Sequence, residues 1–481
     1  MWRCAAPRPD ADARRDAWYC RGMSQGRRLV GWVTFAFVAG CGARHEPVAP
    51  APKVVLAPEK PVEATEPGLF PLPAWDGDAG RGTGATWSML DGLVKAKSVV
   101  LLGESLHVTT EFPRVRLPIL RRLHEQLHFD VVAVEGSMVD AWLAQDDLLR
   151  APKMDAAAVE EASRTGWLTL WNTAAMREVL DYVARTGGRE RLYFASMDIQ
   201  PGMGGTPIKK AVMRRFIERV LEYAGEPDAG ATAEKLSATL DPLRTCGGEQ
   251  PAPPERVDAV AKVVRAIRGA DPKVRAVLPM HADALALVPT MLDERLHHCS
   301  EILGPGGKFA PNEYWRNYKE ARDRYQAANV VALRDKVSRS HRVVVWGHHS
   351  HLGYRAAGAR ASVSISGVLR DRLPGETYAL GLFAGAGSYL RVQDGPRDNI
   401  SRVDVSAPGD PCCRGLDALR GLSSSPTGYL LDLALAQGNP RVSFAKERLG
   451  YPLEGDGVPA VLADEFDGVL FVPRISAATL E

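Results

Sequence analysis

Glu104 and His107 stand three residues apart in the stretch VVLLGESLH, directly behind the apolar run Val99 to Leu102. Three other apolar runs end in the same way. Glu135 follows VVAV, Asp198 follows YFASM, and His348, His349 and His351 follow VVVWG. An imidazole beside a carboxylate is the arrangement of a general base whose tautomer and proton affinity are held by an acid partner. Arg116, early in the next stretch of helical pattern, adds a fixed cation that could stabilise an oxyanion or clamp a carboxylate. No Gly-x-Ser-x-Gly elbow occurs, which argues against a serine hydrolase of that type. No dinucleotide or phosphate loop follows a strand. The expected nucleophile is therefore water activated by histidine.

Such residues meet only if the chain brings the run ends together. The runs 98–103, 129–136, 191–198, 341–349 and 377–385 are continuous rather than alternating, as strands covered on both faces should be. Helical patterns at 111–127, 167–186 and 312–338 separate them, with Pro118 expected to start or kink the first. This order predicts an α/β fold with a mainly parallel central sheet flanked by helices. The carboxyl ends of parallel strands face one crevice. Residues 205–310 read as a helical insertion or cap. His124 to His128 spell HEQLH, a zinc-site pattern on a helix interior. Here Phe129 begins the next strand, so His128 falls at a helix end and the match reads as coincidence. Trp167 and Trp171, four apart, read as core residues of one helical face.

Net charge is +2 from 60 basic and 58 acidic residues, which gives no footprint for a nucleic-acid partner. The seven cysteines fit no zinc spacing, and a Cys246–Cys299 bridge is open to the chain in an oxidising compartment. Residues 1–41 read as a signal peptide starting at Met23: Arg27 and Arg28, a short apolar run, then VAGC. That ending resembles the bacterial lipobox, which makes Cys41 the lipidated residue and the cell envelope the expected location. A Pro-rich tether spans 42–70, and the catalytic domain spans 71–481.

Taken together, the motifs resemble the erythromycin esterase family. LGESLHVTTEF is similar to its Gly-Glu-x-x-His signature, and VAVEGS, MDIQ, RDRYQAAN, VVVWGHHSH and EFDGVLFV follow in the family's order. The resemblance implies hydrolysis of a carboxylic ester or lactone, a small-molecule partner such as a macrolide. It implies His107 as the water-activating base, Glu104 and Glu135 as its carboxylates, and Arg116, His348 and His351 as further catalytic residues. Asp198, Glu111 and His349 are assigned to substrate binding. Gln326 stands where the family has Met, and His349 where it has Asn. No cofactor is expected, although imidazoles and carboxylates would also serve a divalent metal. The wider clan with this strand end includes haem-binding lipoproteins and metal-dependent proteases. A non-catalytic haem- or glycan-binding lipoprotein and a metal-dependent hydrolase are thus the alternative readings.

Overall fold

A computed structural model describes residues 66–480, apart from 73–83, 152, 167–170, 188–189, 203–206, 247–251, 303–310, 356–362, 393–399, 423–424 and 454–455. Among the described residues twelve strands are formed: β1 Leu69–Pro71, β2 Val99–Glu104, β3 Val131–Ser137, β4 Tyr193–Asp198, β5 Val343–His348, β6 Thr377–Ala384, β7 Ser388–Val392, β8 Ile400–Asp404, β9 Tyr429–Asp432, β10 Arg448–Leu453, β11 Asp456–Val461 and β12 Gly468–Val472. Eight make one sheet in the order β1-β9-β12-β6-β2-β5-β3-β4. From β12 to β4 every neighbour is parallel, while β9 runs antiparallel to both β12 and β1. The fold is the expected mixed α/β architecture. β2, β3, β4, β5 and β6 are buried along their whole length, which is why their sequences run apolar without alternation.

Register fixes what reaches the carboxyl edge. Glu104 lies opposite His348, and Gly103 lies between Gly347 and Gly381. This row of glycines leaves bare backbone where side chains must cross. A Cβ at Gly103 would come within 2.9 Å of the His349 ring, and one at Gly347 within 3.2 Å of Glu135 Oε2. The β3–β4 register slips between Val134 and Ser137, so Glu135 sits at an irregularity of the kind that re-aims a side chain.

Helices cover both faces. Glu111–Glu125 begins at Glu111 and continues through Pro118, so that proline does not start the helix. Ser137 and Thr173 cap Met138–Arg150 and Ala174–Arg185 through their hydroxyls. In the stretch read as 167–186, residues 167–170 lie outside the described part and the α-helix described is Ala174–Arg185. Trp171, in a 3-10 turn, and Asn172 precede that α-helix, and Trp167 is not among the described residues. Pro311–Ala332 packs along β4, with Asn329 Nδ2 donating to the Met197 carbonyl at 2.9 Å. Between β4 and that helix the insertion is helical, from Pro207–Ala224 to Val288–Ile302, and Cys246 is disulfide-bonded to Cys299. A buried polar knot docks it on the core. His281 lies 2.9 Å from Tyr193 Oη and 3.2 Å from Asp146 Oδ1, and stacks on Trp142. Leu69–Pro71 pairs with β9, so these residues belong to the sheet. Among the described residues no helix is long and apolar enough to cross a membrane.

Candidate active site

β2 ends by turning through Ser105 to Thr110 into the helix Glu111–Glu125. The turn folds His107 back on its own strand, so that Nδ1 lies 2.6 Å from Glu104 Oε1. Glu104 Oε2 accepts from Arg116 Nη1 at 2.7 Å. The carboxylate is thus held between an imidazole and a guanidinium. Burial alone would raise its pKa, but Arg116 and His107 outweigh that and hold it below the usual range. Trp171 Nε1 lies 3.3 Å from His107 Nδ1. An Nδ1–H given to the carboxylate leaves no lone pair there for the indole, and the shorter, charge-assisted contact prevails. With Nδ1 protonated, the neutral ring carries its basic lone pair on Nε2.

Arg116 is fully buried, its guanidinium 4.5 Å from the centroid of the Trp346 ring. Burial pulls its pKa to about 10 against the pull of Glu104, so it stays cationic at neutral pH. Its Nε and Nη2 have no hydrogen-bond partner among the described residues. Two unpaired donors on a buried cation are costly unless something negative or dipolar meets them.

β5 delivers the second imidazole. His348 caps the short helix His349–Leu352, its Nδ1 accepting the Ser350 N–H at 3.1 Å. An accepting Nδ1 puts the proton of the neutral ring on Nε2. The rings of His107 and His348 lie 4.4 Å apart between centroids. The facing imidazoles therefore hold opposite tautomers, one with a lone pair on Nε2 and one with a proton there.

Glu135 lies between these rings and a third. Its Oε2 accepts the His348 backbone N–H at 2.9 Å, and its Oε1 is 3.5 Å from His351 Nε2 and 3.6 Å from Arg322 Nη2. Burial raises its pKa, but His351, Arg322 and His107 overcome this and set it at about 2. His351 Nδ1 lies 2.5 Å from Asp323 Oδ1. Asp198, at the end of β4, receives Arg322 Nη2 at 2.5 Å. The expected residues Glu104, His107, Arg116, Glu135, Asp198, His348 and His351 thus meet at one sheet edge.

Two expected residues point elsewhere. His349 crosses Gly103 and packs against Phe383 and Phe466, with centroids 4.6 and 4.7 Å away. Burial and the neighbouring His348 hold it neutral, with its pKa well below the usual value. Glu111 accepts the Ser476 N–H and hydroxyl with its two carboxylate oxygens. In HEQLH, His124 bonds Tyr182 Oη at 2.7 Å, and His128 closes its helix with φ 59°. Arg322, Asp323 and Trp171 belong to the cluster without having been singled out for it. Arg322 and Asp323 open the RDRYQAAN motif, which was the signal that could have found them, and Trp171 reads in sequence as a core residue.

No group of three His, Cys, Asp or Glu side chains among the described residues is arranged to hold a metal ion. A small cavity beside the base is lined by Glu104, Val108, Thr109, Pro113, Trp171, Thr173 and Met176. A larger hollow of about 180 Å³ lies between the turn after β4 and the insertion, and no imidazole lines it.

Comparison with known proteins gives this α/β edge a class. The pattern of the erythromycin esterase family matches residues 124–475. The chain belongs to the erythromycin esterase family, a family of hydrolases. Glu104, His107 and Arg116 precede the matched span. YbfO of Bacillus subtilis (strain 168), a hydrolase by name, is 22% identical over 426 residues, covering 84% of this chain and 89% of that one. A Bacillus cereus protein of known structure superimposes with a TM-score of 0.61 at 14% identity, over 86% of this chain and 97% of that one. A succinoglycan biosynthesis protein gives 0.60 at 13% identity, over 86% and 96%. A histidine-to-asparagine variant of the erythromycin esterase EreC, in its open conformation, gives 0.54 at 14%, over 82% and 95%. At these identities the structural likenesses concern the fold.

Proposed function

We propose that the protein hydrolyses a carboxylic ester or lactone of a small molecule with water activated by His107. The observation that supports this reading is the Glu104–His107 contact: with Nδ1 as its donor, Nε2 is the ring atom left to act as the base. In the reaction, Nε2 takes a proton from water as the oxygen bonds to the carbonyl carbon. The C=O electrons move to the oxygen, and the free N–H groups of Arg116 and the Nε2–H of His348 supply donors for that charge. Collapse expels the alkoxide, which recovers the proton from the His107 imidazolium. Glu135 supplies the negative charge that stabilises the imidazolium while it exists.

The test is direct. Purified protein is given p-nitrophenyl esters and macrolide lactones across pH 5–9, with and without chelator. Turnover that survives chelation supports the reading. A protein that turns over none of these and emerges with a haem absorbance band belongs to the binding alternative.

We further infer export to the cell envelope, with Cys41 as the lipid anchor. The basic-apolar-small order of residues 27–41 motivates this, and a disulfide between Cys246 and Cys299 suits an oxidising compartment. Residues 1–65 lie outside the described part, so the tether and Cys41 rest on sequence alone.

A further inference from the structure

The segment 475–480 is tied to the turn that carries the base. Thr110 N–H donates to the Ser476 carbonyl at 3.0 Å, and Ala478 N–H donates to the Val108 carbonyl at 3.0 Å. Between them Thr109 pairs with Ala477 as an antiparallel bridge. Ser476 closes the contact from its own side. Its N–H and hydroxyl donate to the two carboxylate oxygens of Glu111, at 2.6 and 2.7 Å. Four residues on, Leu480 pairs with Thr173, beside the Trp171 indole that stands against His107. At its other end Ile475 is buried and locked to the turn after β6, its N–H donating to the Ala386 carbonyl at 2.9 Å.

The turn needs this support. Val108, directly after His107, has φ 51°, a left-handed conformation that costs a β-branched residue energy and persists only when its surroundings impose it. Glu104 holds the His107 ring, but the backbone on the far side of His107 is held by the segment. Val108, Thr109, Trp171 and Thr173 are also four of the residues lining the small cavity beside Glu104. The same strap therefore sets the base turn and the cavity wall.

We propose that residues 475–480 are a positioning strap for His107, with Glu111 and Ser476 as its clasp. Glu111 is a positioning residue in this scheme. It acts through the 108–110 backbone, and the part of the proposal that concerns rate rests on the hydrolase reading above.

The experiment compares wild type, Glu111→Ala, Glu111→Gln and Ser476→Ala in the full chain. Ser476 is exposed, so its variant removes one clasp bond without touching the core. Amide hydrogen exchange of residues 106–110 is measured first, because it needs no substrate. Exchange there should accelerate about tenfold in Glu111→Ala, less in Ser476→Ala and Glu111→Gln, and stay unchanged in β2 and β5. With an ester substrate, kcat should fall about tenfold in Glu111→Ala with KM within about twofold, and Glu111→Gln should recover part of it. Unchanged exchange at 106–110 in both alanine variants overturns the strap, whatever the activity. Faster exchange with unchanged kcat overturns the positioning role. A wild type that hydrolyses no ester removes the hydrolase reading and leaves the exchange test standing.

Discussion

His351 Nδ1 lies 2.5 Å from Asp323 Oδ1, repeating across the site the 2.6 Å contact between His107 Nδ1 and Glu104 Oε1. In both pairs the carboxylate fixes the ring from behind, and Glu135 lies between the two. Two oriented imidazoles around one carboxylate form a proton-handling arrangement that a cap or a core contact does not require.

Asp323→Asn should keep the fold and lower kcat for ester hydrolysis by about 10- to 100-fold. An amide can still accept at Oδ1 and hold the ring in place, but brings no charge to it. The check is steady-state kinetics beside a circular-dichroism melt. A folded variant with wild-type kcat would show that the Asp323–His351 pair serves structure alone.

Glu135 sets a pH dependence. Its folded pKa, about 2, lies below the ordinary 4.5. A depressed carboxylate contributes stability that is fully present above the unfolded pKa and is lost as pH falls through the folded one. The window is therefore about pH 4.5 down to about 2, and the contribution at neutral pH is on the order of 3 kcal/mol. Urea unfolding across that range should show wild type losing stability steeply and Glu135→Gln much less. Parallel curves for the two proteins would remove Glu135 from the ion network.

Much of this geometry was readable beforehand, and for a physical reason. A strand buried on both faces has an apolar run that ends abruptly at the sheet edge, so Glu104, Glu135, Asp198 and His348 are legible as edge residues. Parallel pairing then brings them together without any knowledge of packing. Arg322 and Asp323 were harder, because a helix of alternating charges shows no difference between its buried and solvated ions. β9 is four residues long and antiparallel, too short for a period to show. Glu111 occupied a motif position and was assigned to substrate. Its partner Ser476 is 365 residues away, which no local pattern reveals.

Gln326 is fully buried between Arg322 and Asn329, and neither amide atom has a hydrogen-bond partner among the described residues. An unpaired buried amide costs about 1–3 kcal/mol. Gln326→Met, which restores the apolar residue usual in the related motif, should raise stability by about 1–2 kcal/mol, read as a higher urea midpoint at unchanged slope. A lower midpoint would mean that the amide has a partner in solution.

Cys41→Ser should move the expressed protein from the membrane fraction to the soluble fraction, or leave an uncleaved precursor. Fractionation with metabolic palmitate labelling reads both outcomes. A variant that stays membrane-bound in processed form contradicts lipid anchoring at Cys41.

The central claim is that Nε2 of His107 removes a proton from water. A positioned general base contributes about 10²–10⁴-fold to rate. The most direct measurement is kcat of His107→Ala on an ester that wild type hydrolyses, taken on protein shown to be folded. The account predicts a fall of at least about 100-fold with KM little changed, because the residue sits on an exit turn and not in the core. A folded His107→Ala enzyme retaining near-wild-type kcat would falsify the mechanism.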